Sequence, residues 1–214
     1  MANSDTFAYQ TSYFKRYFDV YCPDLKGFGK NTGMEYPYSL DDYIKEVEEY
    51  KYKNGLISPN VIAHSFGGRI VIKSAAKNPN AYNKIVLTGA AGLKPKRTFN
   101  YYRKKIAFSL LKKFLPKEKL SRFYSKDYLA LDNVMKQSFC KIVNEHLDDY
   151  IGDIKNPTLI VFGKNDRETP LYMAKKLNEK IKNSKLIIIE NAGHFCFIDK
   201  PLKFNTEVRE FLLS

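Results

Sequence analysis

No run of about 18 apolar residues occurs anywhere in the 214-residue chain, so no stretch has the length of a membrane-spanning helix. The opening MANSDTFAYQTSYFKRYF lacks both the continuous apolar core and the small-residue cleavage site of a secretory signal. A soluble, cytoplasmic protein is therefore expected. Cysteine is scarce: Cys22, Cys140 and Cys196 are odd in number and scattered, with no CxxC pair and no Cys/His cluster at metal-ligand spacing. They read as reduced thiols, and neither a metal nor an organic cofactor is implied. Internal repeats and low-complexity linkers are missing as well.

Acidic residues are also short, 23 against 36 basic ones, which leaves a net charge of +13. A balance of this kind raises nucleic acid or an anionic membrane as partners. The distribution argues otherwise. Twelve basic residues and the single acid Glu118 lie between Lys94 and Lys126, so that segment carries +11 and the rest is close to neutral. No RNA-binding aromatic motif or zinc-finger spacing accompanies the charge, and lysines far outnumber arginines, which suits a solvated face better than base readout. No nucleic-acid partner is expected.

What the chain does contain is enough apolar material for a core, 44% hydrophobic residues with 14% aromatics. FDVYC (18 to 22), NVIAH (60 to 64), KIVLTG (84 to 89), TLIVFG (158 to 163) and KLIIIE (185 to 190) are short, β-branched and bounded by Pro, Gly, Asn or Asp, the pattern of buried parallel strands. SLDDYIKEVEEYKYKNG opens with Ser39 and an acid three residues on and closes at Gly55, as a capped helix does. FGGRIVIKSAAKNP, PLYMAKKLNEKIKN and PLKFNTEVREFLL predict three more helices, two of them opened by proline. Strand and helix alternate, so the expected class is α/β with a mostly parallel sheet flanked by helices. Residues 94 to 150 hold helical patterns and no strand, and fall between the third and fourth of these runs.

Ser65 stands where NVIA ends and FGGRIVIKSAAKN begins. A serine nucleophile on a sharp strand-to-helix turn requires this context, with small residues at the positions two before and two after. Gly67 is one; the other is Ala63, a departure from G-x-S-x-G that still meets the steric requirement. Such a turn directs the Phe66 N–H toward the site at a helix N-terminus, a candidate oxyanion-hole donor. The alternative is a serine N-cap on an ordinary βα turn. A nucleophile needs a base, and the base needs an acid. Of the three histidines, His64 adjoins Ser65 and is expected to bond locally, His146 falls in the helical pattern NEHLDDY and is expected to be solvated, and His194 follows KLIIIE in the turn NAGHF. That last position is a carboxyl end of the sheet, where open parallel sheets bind ligands, so His194 is the candidate base. Asp166, in GKNDRETP after TLIVFG, is the candidate acid, although a turn aspartate is commonly only a cap. The chain order Ser, Asp, His is that of α/β-hydrolases.

AHSFGG, FGKNDRETP, NAGHF and the early PDLKGFGKN together resemble the α/β-hydrolase superfamily, in particular its cap-bearing branch of carboxylesterases and carbon–carbon-bond hydrolases. The resemblance runs over nearly the whole chain. It implies Ser65 as nucleophile, His194 as general base and Asp166 as the group that orients it. It also implies a core of residues 1 to 93 and 151 to 214, with 94 to 150 as an inserted helical cap, and a small acyl substrate. A serine at the elbow argues against the epoxide hydrolases and haloalkane dehalogenases of the same branch.

In one respect the chain departs from that family, whose members begin with a strand hairpin and a further strand ending in a His-Gly loop, the source of the second oxyanion donor. No His-Gly pair occurs here. In the family's order the absent strand lies between the run at 18 to 22 and that at 60 to 64. The expectation is that Met1 is an internal methionine of a longer, N-terminally truncated protein. In RTFNYYRKKIAFSLLKKFLPK, Ile106, Ala107, Leu110, Leu111, Phe114 and Leu115 recur at helical spacing while Lys104, Lys105, Lys112 and Lys113 lie off that stripe. The stripe is expected to cover the acyl pocket with the lysines solvated. The alternative is that the charge attracts anionic substrates or an anionic membrane surface.

Overall fold

Four of the five apolar runs pair into one parallel sheet. The computed structural model describes residues 2–96, 103, 106, 108 and 126–214. Within it Val61–His64 (β1), Ile85–Thr88 (β2), Thr158–Gly163 (β3) and Ser184–Ile189 (β4) lie side by side in chain order. All pairs are parallel, with His64 opposite Thr88 and Thr88 opposite Val161. The helices are α1 (Ala8–Phe14), α2 (Leu40–Lys53), α3 (Phe66–Lys77), α4 (Lys126–Ala130), α5 (Asn133–Asn144), α6 (Leu171–Lys180), α7 (Cys196–Asp199) and α8 (Pro201–Leu213).

Strand side chains alternate between faces, and both faces are covered, so the central strands carry almost unbroken apolar sequence. Ile85, Leu87, Ile160 and Phe162 pack with Leu40 and Tyr43 of α2, Ile72 and Ala75 of α3, and Ala174 and Leu177 of α6. Val86, Leu159 and Val161 face the other way, against Phe14 of α1, Phe197 of α7 and Phe204 and Val208 of α8. The α2 start is a capping box, with the Ser39 hydroxyl accepting from the Asp42 N–H while the Asp42 carboxylate accepts from the Ser39 N–H. Pro201 occupies the first turn of α8, whereas Pro170 stands just outside α6 as its N-cap.

The run at 18 to 22 does not form the expected strand. In β1 the N–H of Val61 bonds Lys84 O and that of Ser65 bonds Thr88 O, so strand alternation turns the backbone of Ile62 and His64 to the opposite edge. Among the described residues no strand pairs there. Phe18, Val20 and Ile62 still pack against the cluster that contains Phe14. The apolar alternation at 18 to 22 thus reports burial, and burial alone does not supply a ladder partner.

Within the segment 94 to 150, α5 packs on the loop that follows residue 22: Met135 and Leu131 meet Met34, Phe28 and Tyr38. Its far end is held by Arg69 of α3, which donates to the carbonyls of Ile142 and Glu145 at 2.9 Å each. Lys73 adds ion pairs to Asp41 and Glu145. Helix α5 stops at Asn144, so His146 is not helical as NEHLDDY suggested. It is half-buried, and its Nδ1 has no partner among the described residues. The basic stripe of 97 to 117 lies outside the described residues apart from Arg103, Ile106 and Phe108. Among those described, no helix is long and apolar enough to cross a membrane, and no group of three or more His, Cys, Asp or Glu is placed to hold a metal.

Candidate active site

Ser65 joins β1 to α3 with φ 48° and ψ −109°, a conformation that costs a residue with a side chain about 1–3 kcal/mol. Its backbone is pinned on both sides: the N–H donates to Thr88 O at 3.1 Å, and the carbonyl accepts from Gly68 and Ala91 at 3.0 and 3.1 Å. The side chain makes no capping bond to α3, so an N-cap role does not account for it. Small residues make the turn possible. A Cβ on Gly67 would meet that of Ala63 at 3.8 Å, an ordinary contact, so the two flanks face each other across the elbow. Gly68 has no such room, because a Cβ there would fall 2.6 Å from the Ala90 Cβ.

Phe66 is the first residue of α3, where helix geometry leaves backbone N–H groups without internal acceptors. Its ring is stacked on Phe28 at 5.3 Å and set edge-on to Tyr43 at 4.9 Å. The PDLKGFGKN loop therefore backs the elbow with an aromatic layer. Asp24 closes that loop by accepting from the N–H groups of Ser4 and Lys30.

The turns after β3 and β4 lie against each other, with Lys164 N–H bonded to Ile189 O and Asn165 N–H to Ala192 O, both at 2.9 Å. They bring Asp166 and His194 together. His194 Nδ1 is 2.9 Å from Asp166 Oδ2, and both residues are buried. Asp166 accepts further from the N–H groups of Glu168 and Thr169, at 2.9 Å each, and from the Thr169 hydroxyl at 2.7 Å. Burial alone would raise its carboxyl pKa, but the His194 ring and the Thr169 donors outweigh burial and hold it below the usual carboxylate range. A carboxylate accepts only, so Nδ1 carries the hydrogen and Nε2 is left to act as a base. Nε2 is 3.4 Å from Glu168 Oε2. No hydrogen bond joins Ser65 Oγ to His194 among the described residues.

His64 bonds across to β2 and also lies against His194: the two rings are 4.6 Å apart. Its Nδ1 is 3.1 Å from Thr88 O, and since a carbonyl only accepts, the hydrogen sits on Nδ1. The bare Nε2 is buried without a donor among the described residues. Burial, and then the neighbouring His194, lower its pKa to about 4, so it is neutral at neutral pH. Phe7, Phe195 and Phe197 complete its surroundings. Of the residues singled out in the sequence, Asp166 and His194 are thus bonded, Ser65 and Phe66 form the elbow beside them, and His146 makes no hydrogen bond among the described residues. Sequence reasoning missed Thr169 and Glu168; a hydroxyl three residues after a turn aspartate was the available signal for the first.

A parallel sheet with a strained serine at the end of one strand and an Asp–His pair on the turns after two others is an α/β arrangement whose polar groups gather at the sheet's carboxyl edge, where open α/β folds bind ligands. A sequence profile of the Alpha/beta hydrolase family matches residues 2–207, and the chain belongs to that family. The AB hydrolase superfamily protein YisY of Bacillus subtilis is 28% identical to it, covering 98% of this chain and 87% of its own. The 2-hydroxy-6-oxo-6-(2'-aminophenyl)hexa-2,4-dienoic acid hydrolase of Metapseudomonas resinovorans is 24% identical over 92% of this chain and 74% of its own. Among solved structures, an esterase of Exiguobacterium antarcticum shares the fold with a TM-score of 0.77 at 23% identity, over 100% of this chain and 88% of that one.

Proposed function

We propose that the protein is a serine hydrolase that cleaves a small carboxylic ester or related acyl compound through an acyl-Ser65 intermediate. The observation that carries this reading is the buried Asp166–His194 bond, whose ring lies 4.6 Å from that of His64, the residue next to a serine held at positive φ. His194 Nε2 takes the Ser65 hydroxyl proton as Oγ attacks the carbonyl carbon, and returns it to the leaving alcohol when the carbon–oxygen bond breaks. Water, deprotonated by the same nitrogen, then releases the acid and frees Ser65. Asp166 fixes the ring tautomer, and the Phe66 N–H stabilises the oxyanion. Relatives named as hydrolases and as an esterase support the class, and the 94 to 150 segment is taken as a cap on the core of 1 to 93 and 151 to 214; family likeness alone does not give the substrate.

The experiment is labelling with a fluorophosphonate probe followed by peptide mass mapping. An adduct on Ser65, lost in Ser65→Ala, is expected; labelling elsewhere or not at all overturns the reading. A second reading is favoured by the edge of β1 that no strand pairs among the described residues: a ligand-binding protein that does not turn over. Under it the chain binds ester analogues without hydrolysing them.

A further inference from the structure

We infer that Thr169 is a positioning residue of the Asp166–His194 pair, its hydroxyl bridging the carboxylate and the imidazole and so fixing the orientation of the ring. This rests on the hydrolase reading above.

The hydroxyl lies 2.7 Å from Asp166 Oδ2 and 3.3 Å from His194 Nδ1. Its one hydrogen must go to the carboxylate, which can only accept. Toward His194 the oxygen can therefore only accept, and the Nδ1 hydrogen is shared between Asp166 Oδ2 at 2.9 Å and Thr169 Oγ1 at 3.3 Å. The three groups close a ring of hydrogen bonds in which each side chain fixes the other two. The Thr169 N–H also donates to Asp166 Oδ1 at 2.9 Å, so both carboxylate oxygens are tied to one residue and the plane of the carboxylate cannot rotate freely. Thr169 is itself rigid: it is buried, β-branched and followed by Pro170, which stands at the start of α6. No proton leaves Thr169 during turnover; it acts only through Asp166 and His194.

Replacing the hydroxyl by a methyl group in Thr169→Val keeps the shape and the backbone donor and removes one charge-assisted bond. The expected result is a fall in kcat of about tenfold with KM little changed, since the contact is to the catalytic pair and not to substrate. The acid limb of the pH–rate profile should move to higher pH, because a pair with one donor fewer takes up its proton more readily. The other titratable groups around the pair are unchanged in the variant: His64 from β1, Cys196 and Asp199 from α7, and Glu168 from the same turn. Thr169→Ser, which retains the hydroxyl, should restore both kcat and the acid limb. A loss confined to KM, an unmoved acid limb, or failure of Ser to rescue overturns the inference. If the Val protein does not fold, Thr169→Ala serves the same comparison against Ser. Loss of all activity in Ser65→Ala together with full activity in Thr169→Val would sink this inference alone, whereas activity that survives Ser65→Ala would sink the hydrolase reading itself.

Discussion

A Cβ built on Gly89 would stand 3.1 Å from His194 Nδ1 and 3.1 Å from the His194 carbonyl oxygen. Gly89 follows β2 with φ +50°, and its N–H is bonded to Val161 O, so it can neither retreat nor relax into a right-handed conformation. Gly89→Ala should therefore displace the imidazole from Asp166. We expect kcat to fall by at least about tenfold and stability by about 1–2 kcal/mol from the left-handed backbone alone. Steady-state kinetics and thermal melting check this; an Ala variant with unchanged kcat would show that the close approach does not position the base.

Ser65, His194 and Asp166 act as one unit in the proposed mechanism, so their losses should not add. Ser65→Ala and His194→Ala should each lower kcat by about a thousandfold or more, and the double variant should be little worse than either. His64→Ala or His146→Ala should leave far more activity. If His194→Ala retained turnover while one of these two lost it, the assignment of the base would be wrong.

The strands that became β1 to β4 could be read from the sequence because each holds a β-branched apolar run; in β2 and β3 every residue is buried, and burial of that kind leaves almost no polar positions to confuse the period. The elbow could be read for a related reason: Ala63, Gly67 and Gly68 are small because the backbone comes close to itself there, and steric demands show directly in residue choice. The run at 18 to 22 misled because its apolar residues do pack, while pairing depends on a neighbour that the local sequence does not encode. Contacts across the turns were equally hidden. Glu168 and Thr169 read as ordinary turn residues, and their approach to His194 arises only when the turns after β3 and β4 are laid side by side. The nearness of the His64 and His194 rings escaped for the same reason.

Glu168 Oε2 sits 3.4 Å from the nitrogen that would return the proton to the leaving alcohol. A carboxylate there favours leaving groups that carry positive charge and opposes negative ones. This side chain is 68% exposed, so the preference is modest and screened by salt. Among esters sharing one acyl group, the wild type should prefer a cationic over an anionic leaving alcohol, and Glu168→Gln should narrow that ratio by about two- to fivefold at low ionic strength. The difference should vanish in high salt. A ratio unaltered by the substitution would mean that the leaving group does not pass this carboxylate.

His64 gives the fold an acid-sensitive element beside the elbow. Its pKa drops from 6.5 to about 4 in the folded chain, first through burial and then through the neighbouring His194. The unfolded chain thus binds a proton on this residue across a window in which the folded chain does not, so stability rises with pH from about 4 to 6.5 and is lost as pH falls through the same range. A shift of this size corresponds to about 3 kcal/mol. Asp166 works in the same direction but lower down: its folded pKa is depressed, and its contribution disappears only as pH falls through that depressed value. The two are separable by substitution. His64→Phe, which suits a site lined by Phe7, Phe195 and Phe197, removes the titrating ring and should flatten the loss of stability between pH 6.5 and 4, while the steeper loss below pH 4 persists. Urea denaturation of both proteins across that range measures the difference, and equal slopes in the two would show that His64 is protonated in the folded state as readily as in the unfolded one.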